Sequence, residues 1–105
     1  MQIEVRSDHN IAALQTAAAS IKGEVERSLG AFSHRIMRVD VHLSDAAGGK
    51  GGKDDIHCIM ETHLKGHDGI VVREKASTIE MALSGAVHTM RRSLERAFDR
   101  ERYQD

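Results

Sequence analysis

The sequence predicts an α+β fold with the element order β-α-β-β-β-α, in which a four-stranded mixed sheet carries both helices on one face. Two segments have apolar residues every three or four positions, which is the period of an amphipathic helix. Four segments alternate apolar and polar residues, which is the period of a strand with one buried face. The order of these segments along the chain then restricts how they connect.

The first strand and the first helix occupy the N-terminal third. Residues 2–6 alternate, with Ile3 and Val5 on one side. The apolar stripe that follows predicts a helix ending near Gly30, and Asp8 or Asn10 can accept hydrogen bonds from its first amides. The stripe consists of Ile11, Leu14, Ala18, Ile21, Val25 and Leu29.

The clearest strand spans residues 36–44, with one apolar and one polar side. The residues predicted to face inward are Met37, Val39, Val41 and Leu43. If Val41 lies opposite Cys58 on the next strand, His42 lies opposite His57 on the polar face. Arg38 then lies opposite Glu61.

Two more strands complete the sheet. Residues 56–64 alternate again, and residues 70–75 form the last strand. The glycine-rich segment 45–53 and the segment 66–69 have the composition of the two connecting turns. The inward side of 56–64 carries Ile56, Cys58, Met60, Thr62 and Leu64.

The last helix follows Ser77 and ends in a basic run. Its apolar stripe consists of Ile79, Leu83, Ala86, Met90, Leu94 and Ala97. Its polar side carries Arg91, Arg92, Arg96, Arg100 and Arg102, interrupted by Glu95, Asp99 and Glu101. On its own, such alternation of charge is typical of a solvated, salt-bridged helix face.

The connections follow from the element order. Two strands separated by a helix are most simply parallel, through a right-handed crossover. Three consecutive strands are most simply an antiparallel meander. Because each strand has one apolar side and each helix one apolar stripe, both helices should cover the same face of the sheet. The other face stays open and polar.

Length and composition narrow the protein class. The 105 residues suffice for one domain, which we place at 1–105. With 3% aromatic residues the core must consist of aliphatic side chains and methionine. The single cysteine excludes an internal disulfide, and no apolar run approaches the ~20 residues that span a bilayer. We expect a soluble cytoplasmic protein that does not associate with a membrane.

The residues give little support for metal binding or catalysis. His42 and His57 are two potential ligands where zinc needs three or four, so we expect no metal site and no cofactor. Cys58 falls on the core side of its strand, where a thiol is a poor nucleophile. No glycine-rich loop leads from a strand into a helix. We expect a protein that is not an enzyme and has no small-molecule substrate.

Three stretches resemble one family. They are Met1-Gln2-Ile3-Glu4-Val5, the segment 35–44 that closes in Leu-Ser, and Met81-Ala82-Leu83 followed by Met90-Arg91-Arg92-Ser93-Leu94. In order and spacing the chain resembles a divergent short form of the ribosome hibernation promoting factor and ribosome-associated inhibitor family, formerly described as sigma-54 modulation proteins. Thr89, Ser28 and Ala31 stand where that family usually has lysines.

The resemblance implies a function. Members bind the small ribosomal subunit through its RNA and block translation by occlusion during stress or stationary phase. Arg92 occupies the position of the family's helical arginine. The other expected RNA contacts follow from their place in the basic helical regions: Arg96, Arg91, Lys22, Arg27 and Arg35.

A second interpretation stays open, in which the same fold is a protein-interaction domain that does not bind RNA. It would use an exposed strand edge, or self-associate as a weak homodimer. It could also use the open sheet face, which carries Arg38, Asp40, His42, His57, Glu61, His63 and Arg73.

Overall fold

The computed structural model describes residues 1–8, 14–45 and 55–102 and confirms the predicted order of elements. The elements are β1 (Gln2–Ser7), α1 (Leu14–Leu29), β2 (Ile36–Asp45), β3 (Ile56–Leu64), β4 (His67–Ala76) and α2 (Ile79–Arg102), with a short 3₁₀ helix at Gly30–Phe32. The proposed cap at Asn10 and most of the glycine-rich loop lie outside the described residues.

The four strands form one mixed sheet in the order β1-β2-β3-β4. β1 and β2 are parallel, while β2, β3 and β4 form an antiparallel meander, as predicted. The parallel pair is the one whose strands are separated by a helix along the chain, because a tight turn cannot connect parallel strands.

The core lies between the sheet and the two helices, which both cover the same face. α1 packs against β1 and α2, and α2 packs across β3 and β4. Eight of the predicted core residues of strands and helices are buried: Val39, Val41, Cys58, Met60, Ile21, Val25, Leu83 and Met90. The match between strand alternation and helical stripes is therefore confirmed at the level of individual side chains.

The predicted register between β2 and β3 is wrong by two residues. The observed pairs are Val41 with Met60, His42 with Ile59 and Arg38 with His63. His42 therefore does not lie opposite His57, nor Arg38 opposite Glu61. A shift of two residues leaves every side chain on the same face of the sheet, so the hydrophobic pattern cannot distinguish the two registers.

The predicted inward orientation of Met37 is also wrong. Its side chain is 58% exposed, while the neighbouring Ile36 is buried. The register shifts between Ile36 and Arg38, which inserts one extra residue into β2. Such a bulge reverses the alternation locally, so the residue that continues the pattern in sequence points away from the core.

The hairpin between β3 and β4 is tighter than predicted. Only Lys65 and Gly66 form the turn, and β4 already begins at His67. Gly66 has φ 68°, a left-handed conformation that suits glycine. A second register shift lies between Thr62 and Leu64, so residues that resemble a loop in sequence belong to the strand.

Candidate nucleic-acid interface

α2 is a rigid support for its charged side chains. The hydroxyl of Thr78 accepts a hydrogen bond from the Met81 amide at 3.1 Å, which caps the first turn. The helix holds to the sheet through buried residues along one stripe: Ala82, Leu83, Ala86, Val87, Met90, Leu94 and Ala97. Its opposite side is therefore fixed toward solvent. No helix in the described ranges is long and apolar enough to cross a membrane.

The five arginines of α2 form two lines on this exposed side. Arg92, Arg96 and Arg100 follow at intervals of four, so each is rotated by about 40° and lies about 6 Å further along the axis. Arg91 and Arg102 lie on the other flank, about three turns apart. Arg102 there lines a cleft together with residues of the 3₁₀ segment.

None of these five arginines makes an ion pair with any residue in the described ranges. Glu95 and Asp99 lie within one turn of several of them, at spacings where helical ion pairs can form. The helix face is therefore not the salt-bridged surface that its charge alternation would suggest. Its positive charges are available to an external anion.

The two predicted contacts on α1 are similarly placed. Lys22 and Arg27 are exposed, and neither forms an ion pair within residues 1–8, 14–45 and 55–102. The Arg27 guanidinium lies along its own helix beside Gly23, where a methyl group would come within 3.2 Å of it. The two residues can add positive charge to the helical layer, and their contact with RNA stays a prediction.

Arg35 has a different environment from the other predicted contacts. Its guanidinium donates to the Lys65 carbonyl oxygen at 3.0 Å and to the Glu101 carboxylate at 3.0 Å. It also lies 4.4 Å from the ring centre of Phe98, within the range of a cation–π interaction. Its side chain is 24% exposed. Arg35 thus joins three parts of the fold and has little capacity left for an external phosphate.

Several charged groups on the open sheet face neutralise each other. Asp40, whose side chain is 14% exposed, accepts hydrogen bonds from Arg38 at 3.1 Å and from the Nε2 of His63 at 3.0 Å. His42 pairs with Asp8 at 3.1 Å. Arg38, His42 and His63 on this face are therefore engaged with carboxylates, whereas Arg6 and Arg73 make no ion pair within the described residues.

Within the described residues, one set of potential metal ligands converges on this face. Ligand atoms of Asp40, Glu61 and His63 lie within 4.8 Å of one another. His63 approaches Asp40 because the true register places Arg38 opposite His63 and Asp40 opposite Glu61. The guanidinium of Arg38 already neutralises Asp40 in this cluster. The geometry is that of a charge-compensated polar cluster.

Cys58 is buried, as predicted, and lies beside an unexpected carboxylate. Burial, together with the charge of Glu74, raises the pKa of the Cys58 thiol to about 12. Glu74 faces α2, where its carboxylate accepts a hydrogen bond from the Thr89 hydroxyl at 3.0 Å. A methyl group at Gly85 would lie 3.3 Å from this carboxylate, so the glycine provides its space.

Fold and surface together define a small α+β domain with exposed, unpaired arginines on α2 and several paired charges on the open sheet face. Residues 9–102 match the family described as sigma 54 modulation protein / S30EA ribosomal protein. Because this match covers most of the chain, the chain belongs to that family, as the resemblance predicted. The family is one of ribosome-associated factors that are not enzymes.

Two solved structures are similar to the chain. The Protein Y N-terminal domain of Thermus thermophilus has a TM-score of 0.72 and 18% identity, with 91% of this chain and 98% of that one covered. A ribosomal subunit interface protein from Coxiella burnetii has a TM-score of 0.66 and 12% identity, with 94% and 99% covered. At these identities the likeness establishes the fold. No curated protein sequence matches the chain.

Proposed function

We propose that this chain is a cytoplasmic, single-domain stress or stationary-phase factor that binds the RNA of the small ribosomal subunit and blocks translation by occlusion. The family includes proteins described as ribosomal, and one structural neighbour is named a ribosomal subunit interface protein. The proposal extends that association to a defined surface and a physical mechanism.

The observation that carries the proposal is a line of exposed, unpaired arginines along one helix. On α2, Arg92, Arg96 and Arg100 form an exposed line and make no ion pair within the described part of the chain. On the sheet face, the Arg38 guanidinium is instead bound to the Asp40 carboxylate. The binding free energy gained with a phosphate is larger for an unpaired cation on a rigid helix than for a cation that must first break its ion pair with a carboxylate. The helical layer is therefore the expected RNA-binding side.

The mechanism needs no chemical step. Each arginine that neutralises a phosphate releases condensed counterions into solution, which drives binding and makes it dependent on salt. Once bound, the folded domain occupies space on the subunit that messenger or transfer RNA would otherwise fill. Inhibition then lasts as long as the complex and is reversed by dissociation.

The proposal is tested by co-sedimentation of the purified protein with small ribosomal subunits at about 50 mM and about 300 mM salt. We expect stoichiometric binding at the lower concentration and a large loss at the higher one, since contacts to several phosphates weaken steeply with salt. An in vitro translation assay should show inhibition over the same range. No binding at low salt, combined with concentration-dependent self-association in sedimentation velocity, would support the protein-interaction alternative instead.

A further inference from the structure

A cleft lies between the β3–β4 turn and the C-terminal half of α2. Its volume is about 480 Å³. One wall is formed by the hairpin and the other by the flank of α2 that carries Arg96 and Arg100. The lining residues are Gly66, His67, Ile70, Ser93, Arg96, Ala97, Arg100 and Glu101.

The cleft is continuous with the line of arginines on α2. Arg92, Arg96 and Arg100 lie on adjacent turns, and the last two line the cleft. Both are exposed, and neither makes an ion pair with a described residue. An anion in the cleft would therefore meet two guanidinium groups without displacing a carboxylate from them.

The opposite wall is held in place by the hairpin. The Nδ1 of His67 donates to the Asp68 carbonyl oxygen at 2.8 Å, and the ring meets Phe98 edge-on at 6.2 Å. Nε2 has no partner in the described part of the chain. The left-handed Gly66 allows the tight turn that places His67 beside α2.

Glu101 is the one carboxylate among the lining residues, and its charge is already compensated. It lies 3.0 Å from the guanidinium of Arg35, which lines the cleft on the other flank of α2. That hydrogen bond is the main reason why the pKa of Glu101 lies below its ordinary value. The net charge at the cleft is therefore positive despite the carboxylate.

We propose that this cleft binds a backbone phosphate of RNA, so that the RNA-binding surface runs from α2 onto the β3–β4 turn. The inference rests on the proposed function and adds Arg100 to the contact surface, with His67 as part of the opposite wall of the cleft. The spacing of Arg100 at four residues from Arg96 was visible in the sequence. The approach of His67 depends on the two-residue turn, which the sequence did not reveal.

The test compares Arg100→Gln with Arg102→Gln. Both variants lose one positive charge at the same end of α2, but Arg102 lines the cleft on the other flank. For binding to small ribosomal subunits, Arg100→Gln should weaken affinity by roughly tenfold and reduce the slope of log Kd against log salt by about one. Arg102→Gln should leave the salt slope of the parent unchanged. Arg100→Lys, which keeps the positive charge, should have a salt slope close to that of the parent.

The outcomes separate this inference from the proposed function. If the parent binds subunits, and both glutamine variants bind alike, the cleft assignment is wrong while the function stands. If the parent does not bind, both are wrong. In an NMR titration, a single-stranded oligouridylate should shift the amides of Gly66 and Arg100 together with that of Arg92. ADP that shifts Gly66 and Arg100 alone would indicate a nucleotide pocket and overturn the RNA assignment.

Discussion

The guanidinium of Arg35 lies 3.0 Å from the carboxylate of Glu101, although 66 residues separate them in sequence. The same guanidinium binds the carbonyl oxygen of Lys65, whose amide in turn donates to the Arg35 carbonyl oxygen at 2.8 Å. One side chain thus connects the segment before β2, the β3–β4 turn and the end of α2. This junction separates the two clefts that flank α2 and fixes the distance between their walls.

The Arg35–Glu101 pair should make stability depend on pH. Because the hydrogen bond from Arg35 lowers the pKa of Glu101 below 4.5, the unfolded chain binds the proton more tightly than the folded chain. The contribution of the pair is therefore present at neutral pH and is lost as the pH falls through the folded-state pKa. Glu101→Gln should lower the urea midpoint at about pH 7, and its difference from the parent should shrink at about pH 3.

Asp99→Asn is the matched control for that measurement. It removes one carboxylate two residues away on α2 that forms no ion pair within the described ranges. The control should leave the urea midpoint nearly unchanged at both pH values. If both variants behave alike, the Arg35–Glu101 contact contributes nothing to stability in solution.

Cys58 should be unreactive in the folded protein. Its side chain is fully buried, and its pKa of about 12 leaves almost no thiolate near pH 8. Iodoacetamide at that pH should label the protein only after urea unfolding. Raising the pH from 9 toward 12 should also lower the free energy of unfolding, since the unfolded chain releases this proton first. Rapid labelling without urea would show that the core opens around β3.

Replacing two glycines by alanine should change the free energy of unfolding in opposite directions. At Gly69 a methyl group would come within 3.0 Å of the Thr62 carbonyl oxygen, which belongs to the backbone of the paired strand. Gly69→Ala should therefore cost about 1–3 kcal/mol in the free energy of unfolding. At Gly23 the nearest group is the mobile end of Arg27, so Gly23→Ala should stabilise α1 by about 0.5–1 kcal/mol. Urea unfolding curves of both variants test this contrast.

The elements that the sequence predicted correctly are those set by periodicity over many residues. β3 has the predicted bounds of Ile56–Leu64, and the predicted stripe of α2 is buried from Leu83 to Ala97. Errors occurred where a single extra residue changes the pattern, at Met37 in β2 and in the turn at Gly66. A bulge is a feature of the pairing between two strands, so the alternation of residues within one strand does not predict it.

The candidate site was predictable only in part, for a related reason. Helical spacing identified which arginines of α2 point outward, because it depends on one element alone. It could not show that Arg35 is bound to Glu101, nor that His67 lies beside Arg100. Predicting those contacts requires knowing how the elements pack against one another. On the sheet face, the contacts depend on the register of β2 with β3, which differs by two residues from the predicted one.

The RNA-binding side of the molecule can be identified by charge reversal on α2. Arg92→Glu combined with Arg96→Glu should abolish co-sedimentation with small ribosomal subunits at moderate salt. Each substitution replaces an attraction to phosphate with a repulsion, and the two residues lie one turn apart on the same face. Because both side chains are exposed, the thermal midpoint should change little, consistent with effects of about 0.5 kcal/mol at surface positions.

The control for this variant lies on the opposite side of the sheet. Arg6→Glu combined with Arg73→Glu makes the same change in net charge at two exposed arginines that form no ion pair within the described residues. If net charge alone governs binding, both double variants should lose it equally. If the helical layer meets the RNA, the control should retain binding with a nearly unchanged salt slope, because its charges lie on the far side of the core. Loss in the control with retention in the α2 variant would place the ribosome contact on the open sheet face.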